Sequence, residues 1–166
     1  MIMNMTLLDF TTFHVLLSLL GLFSGLAVVG ALLTSKWPNL ATAVFLTSTV
    51  LTSITGFMFP SAGLGPPQIV GVISLIFLAL ACGALYAFHL KGPWRLIYVA
   101  SVVVAFYFNA FVGVTQAFAK IPALKELAAS GLGGTYAAAE LAVLALCLLL
   151  GLLAGKHFHP KLAQSA

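Results

Sequence analysis

Between residues 103 and 122 the chain reads VVAFYFNAFVGVTQAFAKIP, an apolar run carrying Asn109, Gln116 and Lys120 at intervals of seven and four. At 100° per residue those three side chains fall within about 40° of one another, so a helix carries them as one polar stripe. Tyr98, Ala105 and Gly113 extend the stripe along the same helix. Around this segment the pattern repeats as long apolar stretches separated by breakers. A hydrocarbon core about 30 Å thick needs roughly 20 apolar residues per helical span. The pattern predicts five spans, near residues 10–34, 40–59, 68–90, 94–119 and 136–154. The breakers are Lys36, Trp37, Pro38 and Asn39, then residues 60–67, then Lys91, Gly92 and Pro93. Such short turns make consecutive helices antiparallel neighbours. Between the last two spans, Pro122 opens a segment in which Leu124, Leu127 and Ala128 share a face while Lys125 and Glu126 point to water. It predicts a short interfacial helix over 121–130, ended by Gly131, Leu132, Gly133 and Gly134, as a connector or a lid over the neighbouring polar residues.

Composition then fixes the class. Hydrophobic residues make up 62% and charged residues 6% of 166, against about a quarter charged in soluble domains. The expectation is an all-α integral membrane bundle of five transmembrane helices forming a single domain, with no polar block long enough for a water-soluble unit. The first span has no basic segment before it, Asp9 precedes it, and it is too long for a signal peptide, so it is expected to remain in the mature protein. Cys82 and Cys147 sit in apolar runs at different depths and read as small buried hydrophobes.

Lysine and arginine set the orientation. Lys36, Lys91, Arg95, Lys156 and Lys161 fall on one side of alternating spans, whereas Lys120 and Lys125 fall on the other. The five-residue side is the expected cytoplasmic face of a bacterial inner membrane, with the amino terminus periplasmic and the carboxyl terminus cytoplasmic. A net charge of +4 is what such a rim carries and requires no nucleic-acid partner.

With depth assigned, polar residues gather toward the periplasmic side: His14 in span one, Ser53 and Thr55 in span two, Asn109, Gln116 and Lys120 in span four, and Glu140 in span five. His14, Ser18, Gly21 and Gly25 share one face; Thr49, Ser53 and Gly56 share another; Glu140, Cys147 and Gly151 a third. Two readings stand beside each other. Gly21 and Gly25 form a G-x-x-x-G that lets helices approach, and hydroxyl and amide side chains bond across helices as glue. Ionisable groups inside spans are costly and mark functional sites, which singles out His14, Glu140 and Lys120, although a lysine near a helix end can also snorkel to water. A His14–Glu140 contact would stabilise both charged forms relative to burial of either alone.

Cofactor chemistry is narrowly bounded. His14 and His89 fall near opposite membrane faces and cannot ligate one haem together, which leaves His14 with Met58, or His14 alone. His157 and His159 lack the further ligands that a metal site needs. Walker, G-x-G-x-x-G, serine-hydrolase and H-E-x-x-H patterns are absent, which excludes the common soluble-enzyme classes.

Three strings, LLDFTTFHVLLSLLGLFSGL, LTSITGFMFP and WRLIYVASVVVAFYFNAFVGVTQAFAKIPALKELA, resemble a family of small polytopic inner-membrane proteins common in proteobacteria and without an established activity. The resemblance spans roughly residues 6–128, with Q-A-F-x-K-x-P-A-L its most specific part. It implies a polytopic membrane protein. In that family the fourth loop is richer in proline and a glutamine tends to stand where Glu140 stands here, which moves a functional reading onto His14, Asn109, Gln116 and Lys120. The leading expectation is a binding or accessory protein. Its periplasmic-side pocket, lined by His14, Ser53, Asn109, Gln116, Lys120 and Glu140, would take a lipid headgroup or quinone, or dock a membrane partner or second copy. The alternative is a redox protein holding haem or quinone through His14. A solute or proton transporter is the weaker third reading, because the cytoplasmic half offers little beyond Tyr98 and Ser101.

Overall fold

The computed structural model describes residues 7–37, 40–60, 63, 65–129 and 134–159. Among them the chain is all-α: α1 (Leu7–Leu33), α2 (Leu40–Gly56), α3 (Pro66–Cys82), α4 (Trp94–Lys120), α5 (Pro122–Ala129) and α6 (Gly134–His157). Each element lies within a few residues of its predicted range except α3, whose α-helical part ends at Cys82, eight residues before the predicted end at 90. Four helices are long and apolar enough to cross a membrane: α1, α3 with its π-helical extension to Ala87, α4 and α6. The second predicted span is shorter than expected. At 17 residues α2 rises about 26 Å, because the backbone tightens into three-residue turns at Phe57 and Met58, which bond Ile54 and Thr55. Ser130, residues 131–133, Lys161 and parts of the predicted turns at 38–39 and 60–67 lie outside the described residues.

Local chemistry sets the ends. At α3, Pro66 and Pro67 occupy positions whose amides have no intrahelical partner, and the Gly65 amide donates to Gln68 Oε1 at 3.0 Å. The same helix widens into a π turn at Gly83–Ala87 and is closed by His89 and Leu90, both at positive φ (50° and 57°). Phe88 then stacks on Trp94 across the turn, ring centroids 3.6 Å apart, and α4 begins.

The hub is α4, against which α1, α3, α5 and α6 pack, while α2 lies against α1 and α3. One face of its first half is enclosed: Tyr98, Val102 and Ala105 are wholly buried in the core that also holds Phe45, Leu78 and Ala154. Gly25 makes room there, since a side chain on it would begin 2.5 Å from the Phe106 ring and 3.0 Å from that of Phe45. Leu16, Leu20, Phe23, Leu149 and Leu152 point outward, as residues facing lipid do.

One end of the bundle is knitted together. Arg95 donates to the carbonyls of Gly155 (3.1 Å) and Phe158, the His159 amide donates to Ser35 Oγ (2.7 Å), and Phe158 is buried beside Tyr98. Lys36, Lys91, Arg95 and Lys156 therefore collect at this end, with His89 in the α3–α4 turn. At the other end lie Lys120, Lys125 and Glu126. The sequence-predicted separation of His14 and His89 to opposite ends follows from the same topology.

Candidate functional site

Gly21 on α1 sets the register. A side chain there would begin 2.8 Å from Asn109 Nδ2 and 3.0 Å from Thr49 Oγ1, so α1, α2 and α4 meet closely at this level. The Asn109 amide donates to Thr49 Oγ1 at 3.0 Å, joining α4 to α2 across the gap that glycine leaves. Because α1 and α4 run antiparallel, seven residues outward on each, about 10 Å, brings His14 and Gln116 to one level. Lys120, one turn beyond Gln116, is close enough to act electrostatically on the His14 ring.

His14 is half-buried, and its Nδ1 lies 2.8 Å from Thr55 Oγ1. A hydroxyl has one proton to give. That of Thr55 is directed at the Leu51 and Thr52 carbonyls, at 2.8 and 3.1 Å. Thr55 therefore accepts from His14, which assigns the proton to Nδ1 and leaves Nε2 of the neutral ring as an acceptor. The ring sits edge-on to Phe59, centroids 5.1 Å apart, and Phe59 in turn packs on Phe10. Phe59, backed by Phe10, thus packs against the imidazole.

The α4 stripe changes character along its length. Tyr98 and Ala105 are wholly buried and Asn109 is half-buried, but Gly113, Gln116 and Lys120 are exposed. The side chains of Gln116 and Lys120 hold no hydrogen bond among the described residues. The same face that packs inside the bundle at one end is thus open at the other, next to His14.

Ser53 stands apart from this group. It lies on the α3 side of α2, its carbonyl 3.9 Å from where a Gly71 side chain would begin. Two residues along a helix turn the direction by about 200°, so Thr55 faces His14 where Ser53 does not. His14 and Glu140 have separate partners, Thr55 for the one and Thr115 for the other. On the α4–α6 side, Thr115 Oγ1 lies 3.2 Å from Glu140 Oε1, 3.0 Å from the Tyr136 hydroxyl and 3.0 Å from the Phe111 carbonyl. Glu140 is 9% exposed, and its Oε2 is buried with no hydrogen-bond partner. Thr115 and Tyr136 were not singled out from the sequence. Tyr136 had a signal, standing one helical turn before Glu140 on the same face. Thr115 had none that separates it from the many other hydroxyls. Cys82 and Cys147 are free thiols, Cys147 buried and Cys82 half-buried.

A groove of about 310 Å³ lies elsewhere, between α1 and α2, lined by Leu17, Leu20, Val44, Thr47 and Leu51. It is apolar and none of the six candidate residues lines it. No group of three or more His, Cys, Asp or Glu side chains among the described residues could hold a metal ion. The chain matches no known protein family, no curated protein and no solved structure.

Proposed function

We propose that the protein is a five-span bacterial inner-membrane protein that binds a small ligand, or docks a membrane partner, in a cleft on its periplasmic side. The amino terminus is periplasmic and the carboxyl terminus cytoplasmic, a reading supported by Lys36, Lys91, Arg95 and Lys156 at one end. In this topology α2 crosses the bilayer as a short span against α1 and α3, where local thinning meets its length. Membership of the uncharacterised proteobacterial family resembled by residues 6–128 is part of the same proposal.

The observation that carries the binding reading is the change in exposure along one face of α4, from wholly buried Tyr98 to exposed Gln116 and Lys120 beside half-buried His14. An amide facing hydrocarbon is unfavourable, so Gln116 calls for a polar occupant, and Lys120, the last residue of α4, stands where it can meet an anionic group at the interface. The groups also define its chemistry. Lys120 attracts an anion or a carbonyl oxygen, Gln116 gives and accepts, and His14 Nε2 accepts from a hydroxyl. A lipid headgroup or a quinone or quinol ring carries such complementary groups, and the Phe10–Phe59 pair suits an apolar body attached to them. Asn109, bonded to Thr49, lies seven residues before Gln116 on the same face of α4. Glu140 bonds on the α4–α6 side and Ser53 lies on the α3 side of α2, so neither joins this group.

Native mass spectrometry of the full chain in a mild detergent tests the reading, because it reports bound mass and subunit number together. A lipid or quinone retained by the wild type and lost from the His14→Ala/Gln116→Ala double variant is the expected result. Unchanged ligand content, partner co-purification and phenotype in that variant overturn it.

A further inference from the structure

We propose that Glu140 is a monovalent-cation site inside the bundle, holding a proton or a sodium ion in exchange, separate from the cleft at His14. Its carboxyl stands six residues into α6, about 9 Å from the helix start, and faces α4 with 9% exposure. Oε1 meets Thr115 and Oε2 meets nothing, and no ion pair to Glu140 forms among the described residues. A bare carboxylate oxygen in a membrane interior is strongly unfavourable, so the charge calls for a cation on the carboxyl itself.

The hydroxyl arrangement fits that role. Thr115 has one proton and three oxygen neighbours: Phe111 O, Tyr136 OH and Glu140 Oε1. With that proton on the Phe111 carbonyl, as a back-bonded threonine places it, Tyr136 donates to Thr115, and only a protonated Glu140 makes the remaining contact a hydrogen bond. With the proton turned toward Oε1, the carboxylate and the Tyr136 and Thr115 hydroxyls are the hard oxygen donors that a sodium ion prefers. One sodium ion entering releases one proton, and the charge of the site is the same in both forms. The titratable groups nearest Glu140 are Tyr136, bonded to the same Thr115 hydroxyl, and Tyr107 on α4; α4 also carries Lys120 at its end, and Cys147 lies two turns further along α6. Of the other elements packed on α6, α1 carries Asp9 and His14, the latter bonded to Thr55, and α5 carries Lys125 and Glu126, both exposed.

A hydrophobic carbodiimide reads this site. The reagent takes the carboxyl proton onto its nitrogen while the carboxylate oxygen adds to its central carbon, so it labels the protonated form. The full-length wild type in mild detergent is treated with dicyclohexylcarbodiimide over a pH series, in choline chloride or sodium chloride. Adducts are mapped by peptide mass, and Glu126 on α5 corrects for the reagent's own pH dependence. The expected result is an adduct at Glu140, abolished in Glu140→Gln. Loss of labelling on raising pH alone identifies a proton site, and severalfold slower labelling in sodium than in choline identifies sodium exchange. No Glu140 adduct at any pH without sodium, or an adduct indifferent to both pH and sodium relative to Glu126, overturns the proposal.

Discussion

Gly21 of α1 stands directly over Asn109 of α4: a side chain at position 21 would begin 2.8 Å from the Asn109 amide nitrogen, inside any permitted contact. The absence of that side chain is what allows Asn109 to reach Thr49 on α2. Three helices are therefore held at one level by a missing methyl group and a hydrogen bond.

Gly21→Ala should accordingly destabilise the bundle. Alanine gains up to about 1 kcal/mol of helix propensity over glycine, but overpacking a filled interface costs about 1–3 kcal/mol, and the Asn109–Thr49 bond is strained at the same time. Gly30, on the same helix, has no heavy atom within 4 Å of where its side chain would begin. Gly30→Ala should be neutral or stabilising. Thermal unfolding of both variants in one detergent separates the packing effect from propensity, and equal midpoints for the two would refute it.

The Asn109–Thr49 bond is open to a double-mutant cycle. Interhelical hydrogen bonds in membrane proteins couple by about 0.6 kcal/mol, reaching about 1.7 kcal/mol. Asn109→Ala and Thr49→Ala should each lower stability, and the double variant should lose less than their sum by an amount in that range. Strict additivity of the two would show that the pair contributes nothing beyond its packing.

Much of this fold was legible from the sequence, and the reason is local. Apolar runs of span length, closed by Lys36 and Pro38 or by Gly92 and Pro93, give helix ends that need no tertiary information. The stripe of Asn109, Gln116 and Lys120 was legible because helical periodicity depends on one helix alone. Partners were not. Choosing Thr55 over Ser53 for His14 depends on how α2 is rotated against α1, which the hydroxyl-rich string TSTVLTSIT leaves open because it places a hydroxyl in almost every direction. Whether His14 and Glu140 meet was open for a related reason. Both belong to the same half of the bundle, but α4 offers them different faces, and Thr115 meets Glu140 first.

At the basic end, Arg95 is the residue on which the end of α6 depends. Its guanidinium satisfies the Gly155 and Phe158 carbonyls, which no later helical turn can reach. Bonds to a charged donor contribute about 1.5–3 kcal/mol when buried, and less where water competes. Arg95→Ala should lower the midpoint only modestly but release the Phe158 amide, now bonded to Ala154, to hydrogen exchange. Exchange at residues 156–159 unchanged from wild type would mean that Phe158 packing on Tyr98 alone holds the segment.

Tyr98 supplies a prediction of opposite sign. The residue is wholly buried and its hydroxyl has no hydrogen bond, with Thr42 a polar neighbour that falls short of bonding geometry. Burying an unmatched hydroxyl costs about 1–3 kcal/mol, while the ring itself packs against Phe158. Tyr98→Phe removes only the oxygen and leaves the packing intact. Stability should therefore hold or rise, by up to about 1 kcal/mol once the small void left by the oxygen is counted. Tyr98→Leu, which removes the ring, should lose stability by several degrees in the same unfolding experiment. A clear drop for Tyr98→Phe would mean that the hydroxyl is bonded in the membrane, through Thr42 or a buried water. The first half of α4 would then carry a polar contact of its own, on the same stripe that opens at Gln116 and Lys120.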